Sequence, residues 1–569
     1  MTDTVVNHTW LEKRAFALNR ALMGIALVLL LFYLVVYIAF AINLIRFPFD
    51  YDQGEGFELV DVMMFSDGQW PYQDIETYPF YGSIYPPFYH IILVPFAWIF
   101  GPEYWYGRLF SFLSTLITAC AIGFAVWLQE RRTNTTRLVA IMAGLAFLSS
   151  NTVYHIGPLF RQHISMIMFE TLGIVTLAYA HTNTIAADSR RRRRFMLAGF
   201  GLLLMAGYTK QLAAFTAIPA LAFVFIRNPR RGILWGIGFA LIGSGIFAGL
   251  TFATHGHWWT QTVTANIKDF RLDQALGLLR LFIRLHLWLL IPAGLLVIYE
   301  LYFDRLSIYS LWLVGLLPPI SYSAGTWGAG DSYYATPIAA VCILSGIFAA
   351  RTLNRSWTFR RNYLSRWIID PFRRFLSPIA LTSLVVIPLL YLGYGYTVFH
   401  IPTNITGFRQ IADVLHIQPN ADNGFYDSAG RITGGYSDTG HFVTQADLDA
   451  GYRIVDYIDT IDPNMPVLSE EAGFCFAAGR EVITNPVVLY ILDQGDDHPY
   501  DSTELVHLIE NQEFGLVILR ASFYPTAVND AITAHYTASE RITMNGFDYV
   551  ICRPSQVGES TSPCSINLP

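Results

Sequence analysis

Charged side chains are scarce in this chain of 569 residues. Asp, Glu, Lys and Arg together make up 14% of it, whereas a soluble globular protein carries roughly 25%. Hydrophobic residues account for 53% of the chain and aromatic residues for 15%. This composition excludes a wholly soluble protein and predicts a chain that crosses a membrane several times.

Cysteine is also scarce, with five residues in all. Cys120 and Cys342 lie in apolar runs and are expected to be small buried hydrophobic residues. Cys475, Cys552 and Cys564 allow one disulfide bond and one remaining thiol, and their pairing stays open. The C-terminal part that holds these three lacks a nucleophile elbow, a P-loop, a CxxC pair and a dinucleotide-binding glycine motif. No catalytic motif therefore points to that part.

Charge is divided unevenly along the chain. Residues 400–569 hold 23 acidic residues, 7 arginines and no lysine, a net charge of -16, whereas residues 1–399 carry a net charge of +10. We therefore predict a basic transmembrane domain at 1–399 and an acidic soluble domain at 400–569. The chain shows no basic surface of the kind that binds nucleic acid.

Eleven apolar runs approach the length of about 20 helical residues that a bilayer requires. They cover 21–45, 109–127, 138–154, 166–181, 195–208, 212–226, 233–253, 285–302, 307–322, 337–349 and 376–396. The run 86–100 is short, begins with two prolines and contains Pro95, which favours a juxtamembrane or re-entrant helix. The run Ala21 to Leu44 is far longer than the apolar part of a cleavable signal peptide.

Lysine and arginine concentrate in the cytoplasmic loops of membrane proteins. With eleven spans and the N-terminus inside, every dense basic cluster lies on the cytoplasmic side. These clusters are Arg131, Arg132 and Arg137; Arg190 to Arg194; Arg227, Arg230 and Arg231; Arg305; and Arg351 through Arg374. A twelfth span at 86–100 would move the cluster Arg190 to Arg194 outside. We therefore expect a multi-pass protein of the plasma (inner) membrane, with a cytoplasmic N-terminus and an extracytoplasmic C-terminal domain.

The C-terminal domain is predicted to be α/β. Apolar residues recur at helical spacing over 446–461, and helical stretches are also expected at 503–511 and 525–534. Short β-rich runs occur at Val467-Leu468, Gly515 to Leu519 and Tyr549 to Cys552. About 160 residues are enough to bury a core of their own.

The first outer loop, residues 46–108, is rich in acids and has no lysine or arginine between Arg46 and Arg108. A hydrated surface loop would explain most of these acids. Asp52 and Glu55 differ, because a spacing of three residues places them on one face if a helix begins there. Carboxylates held beside a membrane are functional candidates, and the apolar residues that follow favour a helix lying on the bilayer.

Lysine is the rarest charged residue, with three in the chain against 34 arginines. Lys210 lies between two apolar runs at the predicted outer face. A lysine there either reaches toward the lipid headgroups or binds an anion such as a lipid phosphate, and the residues alone leave both open. Arg108 and Arg161, also predicted at the outer face, are expected to converge with it.

The outer loop 254–284 carries several cations, including Lys268, and a pair of histidines, His255 and His257. The cations suit an anionic lipid or a sugar phosphate. Two histidines without matching carboxylates in the same segment are weak grounds for a metal site. We predict no metal ligands and no cofactor, and leave a divalent metal open.

The order of several motifs resembles the GT-C fold glycosyltransferases. These motifs are Asp52-x-x-Glu55, Gly68-Gln69-x-Pro71-Tyr72, Tyr85-Pro86-Pro87-x-Tyr89, Phe100-Gly101, Arg108-Leu109 and Thr209-Lys210-Gln211. The chain is most similar to the bacterial family-39-like branch, related to protein O-mannosyltransferases and the lipid A aminoarabinose transferase. The tail shares Pro466 to Glu471 and Ala478-Gly479-Arg480 with such proteins. In the mannosyltransferases the two acids are adjacent, whereas here they are three residues apart.

The resemblance implies an inverting transfer of a sugar from a polyprenyl-phosphate carrier to an acceptor hydroxyl on a glycan, lipid or protein at the outer face. In that family scheme Asp52 is the general base and Glu55 orients acceptor or donor. Cations stabilise the leaving phosphate, and that role is expected of Lys210, Arg108 and Arg161. Further substrate contacts are expected at Gln211, Tyr85 and His90.

Two other functions stay open at this point. A non-enzymatic translocator of lipid-linked glycans would use the same basic outer loops and would not need Asp52. A polymer ligase with a diphospholipid donor would need more phosphate-binding cations than Lys210 and Arg108 supply.

Overall fold

The computed structural model describes residues 10–52, 54–130, 132–359, 363, 366–367, 370–372, 376–398, 404–415, 425–426, 432–433, 442–494, 500–556 and 562–566. The basic stretch from Arg351 to Arg374 lies partly outside them. Helices dominate the first 400 residues. A small mixed sheet lies in the C-terminal part.

The first part consists of eighteen α-helices within the described residues. They are α1 Trp10–Ile45, α2 Glu55–Ser66, α3 Phe88–Phe100, α4 Tyr104–Gln129, α5 Asn134–Ser149, α6 Asn151–Ile156, α7 Gln162–Ala180, α8 Asn183–Ala186, α9 Ser189–Thr209, α10 Ala214–Arg227, α11 Pro229–Ala253, α12 His257–Thr262, α13 Leu272–Phe303, α14 Ile308–Ser323, α15 Ala335–Leu353, α16 Asp370–Phe372, α17 Leu376–Thr397 and α18 Thr406–Leu415. Short 3₁₀ turns lie at Gln211–Ala213, Thr264–Asn266 and Asp331–Tyr334.

Each of the eleven predicted apolar runs lies mainly on a helix, namely α1, α4, α5, α7, α9, α10, α11, α13, α14, α15 and α17. Seven described helices are long and apolar enough to cross a membrane. Of the other four, α9 has 21 residues but begins with Ser189 and the arginines 190–194, and α5, α10 and α14 have 16, 14 and 16 residues. The polytopic helical architecture predicted from the sequence is confirmed.

Small residues allow the membrane helices to approach closely, as is typical where lipid removes the hydrophobic drive for helix association. A Cβ atom on Gly144 of α5 would lie 2.5 Å from the carbonyl oxygen of Ala119 on α4. Gly173 of α7 and Gly199 of α9 face each other in the same way. These contacts set the spacing of the bundle that carries the site.

The run 86–100 folds as α3 and packs on α2 rather than standing alone. Leu59 and Val62 of α2 share one buried apolar cluster with Tyr89 and Leu93 of α3. Phe160, from the turn before α7, completes that cluster. The first outer loop is therefore a folded layer. Its helix α2 carries Glu55 and Glu58 in the first turn, and Asp52 lies just before that helix.

The C-terminal part is α/β, as predicted. Its helices are α19 Gln445–Asp459, α20 Ala472–Ala477, α21 Pro486–Asp493, α22 Thr503–Glu510 and α23 Thr526–His535; its strands are β1 Phe425–Tyr426, β2 Ile432–Thr433, β3 Val467–Ser469, β4 Leu516–Leu519, β5 Tyr536–Met544 and β6 Phe547–Pro554. Strands β1 and β2 pair with each other, and the other four form a sheet of order β3-β4-β6-β5, parallel between β3 and β4 and antiparallel elsewhere. Cys552 and Cys564 form a disulfide bond, and Cys475 is buried.

This C-terminal part packs on the first outer loop. Phe80 forms a β-bridge with Thr484, and the side-chain amide of Asn485 donates to the carbonyl of Gly82 at 3.1 Å. Asn43, near the end of α1, exchanges hydrogen bonds with the backbone of Val443. The C-terminal part therefore lies directly against the segment that contains the predicted catalytic acids.

Candidate active site

The acidic segment is organised by a buried pair between Glu55 and Arg108. Nε and Nη2 of Arg108 donate to the two carboxylate oxygens of Glu55 at 2.9 and 2.8 Å, and both side chains are fully buried. The other three N–H groups of this guanidinium donate to the carbonyls of Leu44, Phe47 and Phe49 at 2.8, 2.5 and 2.7 Å. Arg108 thus uses all five of its donors inside the protein.

Glu55 is equally occupied. Besides Arg108, its carboxylate accepts hydrogen bonds from the backbone N–H groups of Phe160, Tyr51 and Asp52 at 2.6, 2.9 and 3.2 Å. Burial acts to raise the pKa of Glu55, but the charge and hydrogen bonds of Arg108 outweigh it and hold that pKa below its usual range. The prediction that Arg108 contacts a donor phosphate, and that Glu55 orients a substrate, does not fit this saturated pair.

Asp52 has a different environment, at the end of the loop before α2. Its Oδ2 lies 2.8 Å from Nε of Arg161, which precedes α7. Only 5% of the Asp52 side chain is exposed, against 27% for Arg161. The guanidinium also lies 3.6 Å from Glu58, and the charge of Asp52 holds the pKa of Arg161 above its usual value despite burial. Arg161 therefore orients Asp52 and stays charged.

Lys210 follows α9 and is buried within the protein. Its Nζ lies 2.9 Å from Nδ1 of His163, and 4.9 and 5.7 Å from the ring centres of Tyr85 and Tyr333. Burial, and then the charge of Arg161, lower the pKa of Lys210 to about 7. The ammonium is buried inside the protein, so this geometry favours an anion-binding role over a lysine that reaches toward headgroups.

A cavity of about 90 Å³ joins these groups. It is lined by Asp52, Tyr85, His155, Ile156, Leu159, Arg161, Gln162, His163, Lys210, Gly328, Gly330, Asp331, Ser332 and Tyr333. Four of the eight site residues predicted from the sequence line it: Asp52, Tyr85, Arg161 and Lys210. The cavity thus combines two carboxylates, Asp52 and Asp331, with the basic side chains of Arg161 and Lys210 and an aromatic wall.

The other four predicted residues do not line this cavity. Glu55 and Arg108 form the buried pair behind it. Gln211 donates its amide to the carbonyls of Ile84 and Thr262, at 2.8 and 3.2 Å, and so ties two outer loops together. His90 lies 2.6 Å from Glu58 and 3.5 Å from Asp61 in a buried polar cluster.

Several lining residues were not predicted as site residues. His155 lies in α6 and His163 in the first turn of α7, and Asp331 and Tyr333 follow the glycine-containing stretch 328–330. The sequence around each of these residues contains no motif that predicts a site residue, because the packing of α6, α7 and α15 is what brings them close to Asp52. Glu58 could have been found, since it continues the three-residue spacing of Asp52 and Glu55.

One ring nitrogen in the cavity wall lacks a hydrogen-bond partner in the part of the chain that the structure describes. Because Nδ1 of His163 accepts from Lys210, its Nε2 carries the proton in the neutral ring. That buried atom has no hydrogen-bond partner among the described residues. Buried polar groups are normally satisfied, so this atom points to a polar ligand. Among the described residues no three His, Cys, Asp or Glu side chains are arranged to hold a metal ion.

Two solved structures are similar to nearly the whole chain. The apo crystal structure of ArnT from Cupriavidus metallidurans covers 94% of this chain and 98% of its own, with a TM-score of 0.57 and 15% identity. The structure of the same protein bound to undecaprenyl phosphate covers 93% and 98%, with a TM-score of 0.54 and 16% identity. No protein-family model matches the chain, and neither does any curated protein.

ArnT, the lipid A aminoarabinose transferase, is a membrane glycosyltransferase of the GT-C fold. This chain has the GT-C fold. At this level of identity the similarity shows the fold alone, and it confirms the fold expected from the ordered sequence motifs. Activity and substrates have to be argued from the site itself.

Proposed function

We propose that this protein is an integral membrane glycosyltransferase. It moves a sugar from a polyprenyl-phosphate carrier to an acceptor hydroxyl, with inversion at the anomeric carbon. The observation that carries the proposal is the cavity in which Asp52 meets Arg161 and Lys210. A general base and a cationic phosphate site are the two groups that this reaction needs.

The cations supply the donor end of the site. Lys210 and Arg161 line one cavity, and the Nε2–H of His163 lacks a partner there among the described residues. A lipid phosphate would accept a hydrogen bond from this nitrogen and pair with Arg161 and Lys210. An ArnT structure contains undecaprenyl phosphate, and we propose a lipid of the same class as the carrier here.

Asp52 supplies the acceptor end. The acceptor hydroxyl gives its proton to the Asp52 carboxylate as its oxygen bonds to the anomeric carbon. The bond from that carbon to the phosphate oxygen breaks, and the polyprenyl phosphate leaves with the electron pair. Negative charge grows on this phosphate in the transition state, where Lys210 and Arg161 stabilise it. No covalent intermediate with the enzyme is required.

Glu55 and Arg108 receive a different role from the one expected. Because they bond each other and the backbone of residues 44–55, we propose that they are positioning residues for the loop that carries Asp52. Gln211 and His90 are likewise proposed to order the outer loops around the cavity. Tyr85 remains a proposed substrate contact, since it lines the cavity beside Lys210.

The site is proposed to face the outside of the plasma membrane. That placement follows from the distribution of arginine and from eleven spans, with residues 1–399 as the transmembrane catalytic domain and 400–569 as the extracytoplasmic domain. Membrane lipids surround the first domain, and a glycan, a lipid or a protein is the proposed acceptor.

Two alternatives make different demands on the same cavity. A translocator of lipid-linked glycans would need the cations but not Asp52, and the close pairing of Asp52 with Arg161 favours transfer. A ligase with a diphospholipid donor would place two phosphates near the cavity, whereas the lysines and arginines among the described residues that line it are Lys210 and Arg161. A single phosphate matches that number better.

The proposal is tested with the purified protein in lipid nanodiscs. Release of polyprenyl phosphate from radiolabelled polyprenyl-phosphate sugars is measured with and without extracts of the cell envelope as acceptors, and mass spectrometry identifies the product. Comparison of envelope glycans from cells with and without the gene then identifies the natural acceptor. Acceptor-dependent release that is largely lost in Asp52→Asn supports the proposal, and glycan movement without bond cleavage supports the translocator.

A further inference from the structure

The segment that carries Asp52 is held by the C-terminal part as well as by the membrane helices. Residues 43–52 and 54–56, which we call the outer segment, contact Arg108 of α4 on one side. On the opposite side Asn43 donates to the carbonyl of Val443 at 2.9 Å and accepts from its N–H at 2.7 Å. The outer segment therefore lies between two parts of the fold, and each part fixes it by hydrogen bonds.

Asp50 is the centre of the second set of contacts. Its carboxylate is 1% exposed and accepts three hydrogen bonds: from the N–H of Gly56 at 2.6 Å, from the hydroxyl of Tyr104 at 2.8 Å and from the N–H of Gly473 at 2.9 Å. The carbonyl of Asp50 also accepts from the side-chain amide of Asn545 at 3.3 Å. Gly473 and Asn545 both belong to the C-terminal part.

The hydrogen bond from Gly56 to the carboxylate of Asp50 joins the two sides of the turn that contains Asp52. Asp50 precedes it by two residues and Gly56 follows it by four, so the bond between Asp50 and Gly56 fixes both ends of the turn. Gly473 then attaches the same carboxylate to the start of α20. A displacement of α20 would therefore act on the turn that aims Asp52 at Arg161.

The packing leaves little freedom at this junction. A Cβ atom on Gly473 would lie 2.5 Å from Oδ2 of Asp50 and 2.8 Å from the hydroxyl oxygen of Tyr104. A Cβ atom on Gly56 would lie 2.5 Å from Oδ1 of Asp50 and 2.8 Å from Cβ of Ala472. Distances below about 3 Å require atoms to move, so even one methyl group at Gly473 must displace Asp50 or Tyr104.

We propose that Asp50 is a positioning residue through which the C-terminal part, by way of Gly473, holds Asp52 in the cavity. This inference rests on the proposed function of Asp52 as the base. The C-terminal part then acts on the proposed active site, although none of its side chains is among the described residues that line the cavity. A displacement of about 1 Å in a reacting group reduces rates by up to 10²-fold.

The test uses Gly473→Ala, which leaves every residue of the outer segment unchanged. Gly407→Ala, on α18, is the matched control, because a Cβ atom there meets no other atom within 4 Å. We expect kcat to fall about 10- to 10²-fold in Gly473→Ala, while KM for the lipid donor stays within about twofold, since Lys210 is untouched. In an Asp52→Asn background Gly473→Ala should cause no further loss, because both changes act on one group. Additive losses would overturn the inference.

A structural measurement decides the same point without activity. Cryo-electron microscopy of Gly473→Ala in nanodiscs should show that the 2.8 Å contact between Asp52 and Arg161 is lost. If Gly473→Ala does not fold, Asp50→Asn is used instead, because it replaces one acceptor oxygen by a donor. That variant should lose the same contact. A retained contact overturns the inference, whatever the activity. If instead Asp52→Asn keeps normal turnover, Asp52 is not the base. The distance between Asp52 and Arg161 in Gly473→Ala then still shows whether the C-terminal part positions Asp52.

Discussion

Nε of Arg161 lies 2.8 Å from Oδ2 of Asp52, across a sequence separation of more than 100 residues. The pair places a cation within hydrogen-bond distance of the proposed base, at the edge of a cavity that Lys210 also lines. A phosphate that enters this cavity meets both cations, while Arg161 keeps Asp52 oriented. The proposed donor site and the proposed base thus share one guanidinium.

Asp52→Asn is expected to reduce sugar transfer to a small, measurable residual rate while leaving the fold intact. Asparagine keeps the shape and one acceptor oxygen but cannot take the acceptor's proton, and removal of a general base lowers rates by about 10²–10⁴-fold. Turnover is measured with saturating donor, and thermal unfolding serves as the check on folding. Asp67→Asn, an exposed acid at the end of α2, is the control and should keep full activity.

A folded Asp52→Asn protein with near-normal turnover would remove Asp52 from the mechanism. In that case Glu58 becomes the next candidate, because it is buried and lies 3.6 Å from Arg161. Full activity in Asp52→Asn and in Glu58→Gln would favour the translocator.

Lys210→Ala is expected to weaken donor binding more than turnover. The ammonium is buried beside Tyr85 and Tyr333, and loss of a hydrogen bond to a charged group costs about 1.5–3 kcal/mol. Isothermal titration with undecaprenyl phosphate in nanodiscs measures the change, and Lys13→Ala, an exposed lysine on α1, is the control. Equal affinities in the wild type and Lys210→Ala would exclude this lysine from the phosphate site.

The same lysine predicts a pH dependence of binding. Since burial lowers the pKa of Lys210 to about 7, the ammonium is charged below that pH and loses its proton above it. Affinity for undecaprenyl phosphate should therefore fall as pH rises from about 6 to about 9. Ionisation of the phosphate near pH 6 is common to all variants.

Lys210→Arg isolates the contribution of the lysine, because arginine stays charged throughout this range. Its affinity for undecaprenyl phosphate should vary with pH only through the lipid. If the wild type and Lys210→Arg gave parallel pH profiles, Lys210 would not titrate in the binding step.

The sequence predicted the membrane part well because hydrophobic length is a local property. All eleven apolar runs lie on helices, and the proline-rich run at 86–100 folds as the separate helix α3, which packs on α2. In the C-terminal part the short runs at 467–468, 515–519 and 549–552 were strands, but β5, Tyr536–Met544, was missed. Its alternation of buried and exposed residues is irregular, since a bulge shifts its register between Ala538 and Glu540.

The site was predicted less completely, for a physical reason. Residue type marks Asp52, Arg161 and Lys210 as unusual where they occur, and these three do line one cavity. Residue type cannot show which charges neutralise each other, so Arg108 was expected to be available for a phosphate although all of its donors are used. The same holds for Glu55, whose partner Arg108 lies 53 residues away in the sequence.

Arg108→Ala is expected to destabilise the protein rather than to weaken donor binding selectively. The change leaves Glu55 buried without its counter-charge and three carbonyls without a donor, and loss of one partner of a buried ion pair costs about 3–5 kcal/mol. Arg541→Ala, which breaks the exposed pair with Asp548, is the control and should cost less than about 1 kcal/mol. The measurement is thermal unfolding in detergent. Normal stability with a raised donor KM would restore Arg108 to the phosphate site.

The topology predicts which engineered cysteines a membrane-impermeant thiol reagent can reach. In a Cys120→Ser background, Asn511→Cys after α22 should react in intact cells, or in spheroplasts where an outer barrier blocks the reagent. Ser189→Cys at the start of α9 should react only after the membrane is permeabilised, because its arginine cluster is predicted to be cytoplasmic. Both positions are exposed, so a difference between them reports sidedness. The opposite pattern would place the cavity of Asp52 and Lys210 on the cytoplasmic face and would require a donor carrier loaded on that side.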